Sequence, residues 1–535
     1  MTQIKNKQMK NILNRISILI ALPILLISCN QKTDKKLPSN VIEVLEMAGT
    51  NRSVLEEVIN YYHDTGDTLK QQAAYFLIGN MADKEYITFA VADSSDKEIG
   101  FGVLDYPDYK TLSEAWDSIT KVRGKLHQKR TGVFYDLEEI TAEYLITNID
   151  MAFDAWNKPW AKHLNFNQFC EYILPYRSTN EPLEDWRILL SEKYSWVIDS
   201  MADPNDPVEA CRWINNDIKS WFRFDPRYYE HATDQGLKEM MDVKMGRCED
   251  MTNLAIYSMR AIGVPVTSDF TPYWAKTGNN HAWNTILNNR GEVVIFMGGE
   301  SNPGDYRLNQ AKAKVYRKTF AKQYGNLADL SEDKEKAPKY INRSSITDVT
   351  SEYIPVADVE ISLEKEIPDG EKFAYICVFN TGEWKAIHWS SIDDEGKVNF
   401  TGMGTDIAYL PAFYINGDIV PAGKPFILDN NGDPVYANPD IENPHTLELI
   451  STTKRITKNT TDNIEKVFLK EGETYELFFW DDGWVSFGKK ETGGKPLEFK
   501  NVPSGALYWL INTKPAKDRP ERIFVFTDKG EQVWY

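Results

Sequence analysis

The chain is poor in cysteine. It has five in 535 residues, at Cys29, Cys170, Cys211, Cys248 and Cys377, with no Cys-x-x-Cys pair. Such a scatter excludes a disulfide framework and a zinc knuckle. A Cys170–Cys211 bridge stays open, although nothing in the spacing calls for it. Positive charge is also short: 61 Lys and Arg against 79 Asp and Glu leave a net charge of −18. That balance argues against a nucleic-acid partner. Beyond the N-terminus no apolar run is long enough to cross a bilayer. There is no EF-hand pattern for calcium, and neither a metal nor a cofactor is expected. What the chain does have is 42% hydrophobic and 12% aromatic residues, enough for packed cores rather than disorder.

The first residues speak to location. Lys5, Lys7, Lys10 and Arg15 precede an apolar run from Ile16 to Ile27 that only Ser17 and Pro23 interrupt. The run is short for a membrane span and reads as the hydrophobic region of a signal peptide. It ends Leu26-Ile27-Ser28-Cys29, which resembles the lipobox of bacterial lipoproteins. The resemblance implies removal of residues 1–28, lipidation of Cys29, and a place in the cell envelope, anchored through an N-terminal lipid on the periplasmic face or the cell surface. Residues 29–39 are polar and Lys-rich and suit a tether. The remaining 535 − 28 = 507 residues are too many for one core and suggest about three or four domains.

Residues 40–165 read as mostly helical, because apolar positions recur at three- and four-residue steps through Val41–Ala48, Val54–Tyr62 and Leu69–Met81. Ile87–Val103 is ambiguous and open to short strands. Residues 166–325 read as an α+β core, with helical stretches before Cys248 and strand-like runs at Val264–Phe270, Ala282–Leu287 and Val293–Met297. A charged stretch at 326–345 reads as a linker or loop. Beyond it, residues 345–440 and 441–535 read as two β-sandwiches, the second a repeat of the first. Tyr375, Phe379 and Trp384 recur 100 positions on as Tyr475, Phe479 and Trp484; Phe426, Gly432 and Tyr436 recur 98 positions on as Phe524, Gly530 and Trp534.

The chemistry concentrates in two stretches. After Gly246-Arg247-Cys248-Glu249-Asp250 the apolar positions Met251, Leu254, Ala255, Met259 and Ile262 form one helix face that stops at Gly263, with Pro265 just beyond. Cys248 therefore stands at a helix N-terminus, where unpaired N–H groups and the helix dipole favour a thiolate. The second stretch, Asn279-Asn280-His281-Ala282-Trp283-Asn284, places His281 at the head of a strand that enters a hairpin. A thiol nucleophile needs such an imidazole to take its proton and to protonate the leaving amine. A carboxylate to orient the ring should follow the next strand: Glu300 comes first there, and Asp305 is the alternative.

Taken together, Gly-Arg-Cys-Glu-Asp, a helix ending Ala-Ile-Gly-Val-Pro-Val, and His-Ala-Trp-Asn resemble the core of the transglutaminase-like superfamily, over roughly 160 residues. The resemblance implies a papain-like Cys-His-acid site in which Cys248, His281 and Glu300 act together, an oxyanion hole built on the backbone N–H of Cys248 with Trp221 as a candidate second donor, and a peptide or protein substrate. The sequence departs from the family where Asp-Pro usually follows the second strand; here Gly298-Gly299-Glu300 stands instead. The order of parts also resembles exported multidomain transglutaminase-like proteins of Bacteroidetes. The alternative is an inactive surface protein that binds glycan or protein through its β-domains, for which Trp384, His388, Trp389, Trp480 and Trp484 would form the platform; such residues more often lie in a sandwich core.

Overall fold

The computed structural model describes residues 37–331, 337–453, 469–493, 496–514, 520–527 and 530–535. Cys29 and the leader expected at 1–28 lie outside the described residues.

The N-terminal part is built on helices Ser39–Met47, Arg52–Thr65, Thr68–Gly79 and Ala142–Trp156. They bury Val44, Leu55, Val58, Leu77, Leu145 and Ile149 in one cluster, as their periodicity predicts. Between them lies an antiparallel pair, Glu85–Ala92 with His127–Tyr135, flanking the helix Tyr109–Arg123. The first strand falls in the ambiguous stretch. The second, His-Gln-Lys-Arg-Thr-Gly-Val-Phe-Tyr, is largely solvated and carries no apolar stripe to announce it.

The helical cluster continues without a break into the α+β core. Five antiparallel strands run in the order Val293–Phe296, His281–Leu287, Val266–Thr271, Tyr316–Lys318, Ile346–Asp348. The helix Cys248–Ala261 is buried from Asp250 to its end and packs on the two central strands and on helices Trp186–Lys193 and Pro207–Trp221. It stops where the sequence predicts. Gly263 takes a left-handed φ of +84°, and a Cβ there would fall 2.1 Å from the Ala155 carbonyl oxygen, so no other residue fits. Cys170, Cys211 and Cys377 are free and buried; the bridge left open between the first two is not formed. The stretch read as a linker is not a spacer either: Leu327, Ala337, Ile341 and Ile346 are buried in a cluster with the C-terminal sheets.

The C-terminal part holds the same topology twice. In the first copy Val356–Ser362 pairs with Lys397–Gly404, facing a sheet in the order Glu383–Ser391, Phe373–Asn380, Ile407–Ile415, Phe426–Leu428, Pro434–Tyr436. In the second Asp440–Leu449 pairs with Leu497–Ser504, facing Trp484–Glu491, Thr474–Trp480, Tyr508–Asn512, Ile523–Phe526, Gln532–Trp534. Trp384 and Trp484 occupy matching hairpin positions, and Gly432 and Gly530 matching turns, with φ of +87° and +74°. The central strands match one residue differently from the sequence alignment. Trp384 pairs with Phe379, and Trp484 with Trp480, so Phe379 answers to Trp480 rather than Phe479. Because faces alternate along a strand, the slip decides which side each aromatic takes: Tyr375 lies on the outer face, while Tyr475 lies in the sandwich interior.

The outer faces of both large sheets meet in one aromatic cluster. Phe379, Trp384, Trp480, Trp484 and Trp509 pack edge to face or tilted, with ring centroids 5.1–5.8 Å apart, together with Phe270, Ala282 and Tyr316 of the core sheet. Trp384 and Trp480 are thus interior, Trp389 packs against the same cluster, and His388 hydrogen-bonds Tyr316.

Candidate active site

Cys248 begins its helix on the exit of a short parallel pairing between Arg223–Phe224 and Met245–Gly246. Gly246 is held there by close approach: an added Cβ would meet the Cβ of Asp250 at 2.6 Å and Nε2 of Gln235 at 2.7 Å. The Arg247 N–H donates to Oδ2 of Asp250 at 2.8 Å, which closes the first turn as a carboxylate at N3 should. Side chains then fan apart. The Arg247 guanidinium pairs with Asp234, and Glu249 accepts from Nζ of Lys318 at 2.5 Å. Burial alone would raise Glu249, but Lys318 holds its carboxyl down at about 2, so it is a full negative charge beside the thiol.

That charge matters for the nucleophile. Burial pushes the Cys248 thiol up to about 11, Glu249 adds to the rise, and Arg247 opposes it. The thiolate expected at neutral pH from the helix N-terminus is therefore not favoured in this arrangement, because burial and the adjacent carboxylate outweigh the dipole and the guanidinium. The thiol shares a hydrogen bond with the hydroxyl of Tyr229, whose own ionisation is pushed up to about 12 by burial and by Cys248.

His281 opens the strand His281–Leu287. Its ring stacks on Trp274, with centroids 5.8 Å apart, and leans on Trp283 at 6.0 Å. Burial lowers its pKa, so the imidazole is neutral and able to accept a proton at neutral pH. Nε2 lies 2.7 Å from the Tyr306 hydroxyl. Among the described residues no hydrogen bond joins Cys248 to His281 directly, and the imidazole's partner is Tyr306. It holds the ring, and its phenol is raised by burial and then by the charges of Glu300 and Cys248. The loop before His281 is pinned from outside the core. Nδ2 of the buried Asn380 donates to the carbonyls of Trp274, Thr277 and Asn279 at 2.9–3.0 Å, and Arg522 donates to that of Ala275 at 2.8 Å.

Glu300 sits in the turn after Val293–Phe296, where its N–H donates to the Met297 carbonyl at 3.1 Å. Burial raises its carboxyl, and its charge is felt by both Tyr229 and Tyr306. The observed partner of the imidazole is nonetheless Tyr306, neither Glu300 nor the exposed Asp305. Trp221, the candidate oxyanion donor, directs its indole N–H to Oδ2 of Asp217 at 3.0 Å. Asn284, three residues after His281, does connect the parts: Nδ2 donates to the Thr252 carbonyl at 3.1 Å, and Oδ1 accepts from the Gly298 N–H at 3.1 Å. One buried amide thereby ties the Cys248 helix, the His281 strand and the Glu300 turn together. Asn284 stands in the His-Ala-Trp-Asn motif, yet the motif assigns it no role, and no sequence signal singles out Tyr229 or Tyr306. Among the described residues no group of three or more His, Cys, Asp or Glu is placed to hold a metal ion.

A search among curated proteins returns no match. Among solved structures, a candidate cysteine protease of Cytophaga hutchinsonii aligns at 19% identity over 22% of this chain and 44% of its own, with a TM-score of 0.17. Red sea bream transglutaminase aligns at 10% identity over 82% of this chain and 76% of its own, with a TM-score of 0.19. The chain spans less than half of the first of these, and likenesses this low carry no argument about function. Residues 195–294, which contain both Cys248 and His281, match the model of the transglutaminase-like superfamily, and the chain thus carries a transglutaminase-like superfamily domain.

Proposed function

We propose that the protein is a thiol-dependent hydrolase or acyltransferase acting on amide bonds of extracellular peptides or proteins. The observation that carries the reading is geometric: one buried amide, Asn284, ties the Cys248 helix, the His281 strand and the Glu300 turn together. Of the described cysteines Cys248 alone is not buried. In the tautomer whose Nε2–H donates to the Tyr306 oxygen, Nδ1 of His281 is the nitrogen free to take the thiol proton. The thiolate then attacks the amide carbonyl carbon, the C–N bond breaks, and the amine leaves with the proton from the imidazolium. A thioester remains on Cys248. Water adds to it with His281 again as base, which gives hydrolysis; an amine in its place gives transfer. The backbone N–H of Cys248 serves the oxyanion. Glu300 is assigned as the acidic third member, acting on the imidazole through Tyr306. Because the resting thiol is protonated, substrate must bring it to the imidazole before chemistry begins.

The apolar leader and Cys29 in the sequence support a cell-envelope location on a lipid anchor. Cys29→Ala should move the protein from the membrane to the soluble fraction; unchanged partitioning would reject the anchor. For the activity itself, the full chain is incubated with a peptide library and new termini are read by mass spectrometry. New termini that are lost in Cys248→Ala support the proposal. No new termini, or termini that persist in the variant, favour the binding-protein reading.

A further inference from the structure

Apart from the Cys248–His281 site, the molecule holds a cavity of about 330 Å³ beside the Cys248–Ala261 helix. That is enough for a small metabolite, at the lower end of roughly 300–1,000 Å³ for ligand pockets. Neither Cys248, His281 nor Tyr306 lines it. Six basic side chains do: Lys84, Arg177, Arg260, Lys318, Lys339 and Arg343. The acidic ones are Asp83 and Glu85. In a chain of net charge −18 this is a local reversal of sign, and low-dielectric walls concentrate such a field.

Half of the cations are neutralised by carboxylates. Lys84 pairs with Asp83 at 2.8 Å, Arg177 with Asp136, and Lys318 with Glu249 at 2.5 Å. The rest are not. Arg260 is buried and donates only to the carbonyls of Tyr172, Pro175 and Arg177. Lys339 and Arg343 have no ion-pair partner among the described residues, although Arg343 stands near enough to Glu249 to help lower it. One polar group in the wall is also unspent: the hydroxyl of Ser268, fully buried, has no hydrogen-bond partner. A buried donor in that state is costly unless something satisfies it. Concave shape, surplus cations and a waiting hydroxyl are what a ligand with several oxyanion groups requires.

We propose that this cavity binds a compact polyanion bearing phosphate or carboxylate groups, with Lys339 and Arg343 at the mouth and Arg260 and Ser268 at the depth. The cavity is distinct from the Cys248–His281 site and does not depend on the function proposed for that site.

Calorimetric titration of the full chain with inorganic pyrophosphate, and separately with citrate, at physiological salt tests it. At least one should bind with a micromolar Kd, and the tighter of the two tells a phosphate source from a carboxylate one. Lys339→Gln with Arg343→Gln removes two cations that hold no partner and should weaken binding about tenfold or more. Lys489→Gln with Lys500→Gln, two exposed lysines of the C-terminal sheets, should leave it unchanged. Failure of both anions to bind below millimolar concentration overturns the proposal. So does a double variant at 339 and 343 that binds as well as the parent, or a control variant that loses as much.

Discussion

At the scale of residues the site is governed by one acidic neighbour. Glu249 is ionised because Lys318 holds it; burial first, and the charge of Glu249 after it, push the Cys248 thiol up to about 11. Alkylation of Cys248 by iodoacetamide should therefore rise steadily between pH 8 and about 11 without an early plateau, measured by intact mass against time. Glu249→Gln removes the like charge and should accelerate alkylation at pH 8 by about three- to tenfold. A plateau near pH 6 in the parent would show a preformed thiolate–imidazolium pair instead. Tyr306→Phe deletes the partner of Nε2. A hydrogen bond of this kind is worth about 1 kcal/mol, so peptide turnover should fall roughly fivefold, while the thermal unfolding midpoint changes little.

Elements explain why some of this was legible in the sequence and some was not. The helix from Cys248 announced both ends: a Gly-Arg-Cys-Glu-Asp entry whose glycine admits no side chain, and a Gly-Val-Pro exit whose glycine adopts a left-handed φ. The strand of His281 was legible as a short run ending in the turn Asn288-Asn289-Arg290-Gly291, and after His281 it is buried throughout. Tyr229 and Tyr306 could not be read this way, since the first stands in a five-residue 3-10 helix, Pro226–Glu230, and the second in a loop, and neither carries a period. The strand His127–Tyr135 was hidden because it is mostly solvated, and the aromatic repeat was misaligned by one residue because the turn of the first hairpin is one residue shorter in the second copy: Phe379 pairs with Trp384, but Trp480 with Trp484. The entry turn makes its own prediction. Asp250 accepts the Arg247 N–H, so Asp250→Ala should cost about 1 kcal/mol in a denaturant titration and loosen the placement of Cys248. Asp250→Asn keeps an acceptor and should lose less than half of that.

At the scale of the whole molecule the C-terminal sheets are part of the site although they contribute no reacting group. Their aromatic outer faces are used in packing against each other and the core sheet. Asn380 and Arg522 reach from them to four carbonyls of the loop that delivers His281. Asn380→Ala leaves the Trp274 and Thr277 carbonyls without their donor, while that of Asn279 keeps the Trp274 N–H, at a cost of about 1–3 kcal/mol. It should slow peptide turnover while alkylation of Cys248 by a small electrophile stays within about twofold, because the helix bearing the thiol is untouched. Equal loss in both assays would mean that the substitution unfolds the core rather than displacing the imidazole.

The central claim is that Cys248 carries an acyl group whose formation depends on His281. Intact-mass spectrometry of the full chain, quenched in acid within seconds of mixing with a peptide that it cleaves, reads this directly. The expected result is a mass increase equal to the acyl fragment, mapped to Cys248 and discharged by hydroxylamine. It should be absent in Cys248→Ala and form at least about a hundredfold more slowly in His281→Ala. An adduct that forms at the parent rate without His281, or that maps to any other residue, would contradict the claim.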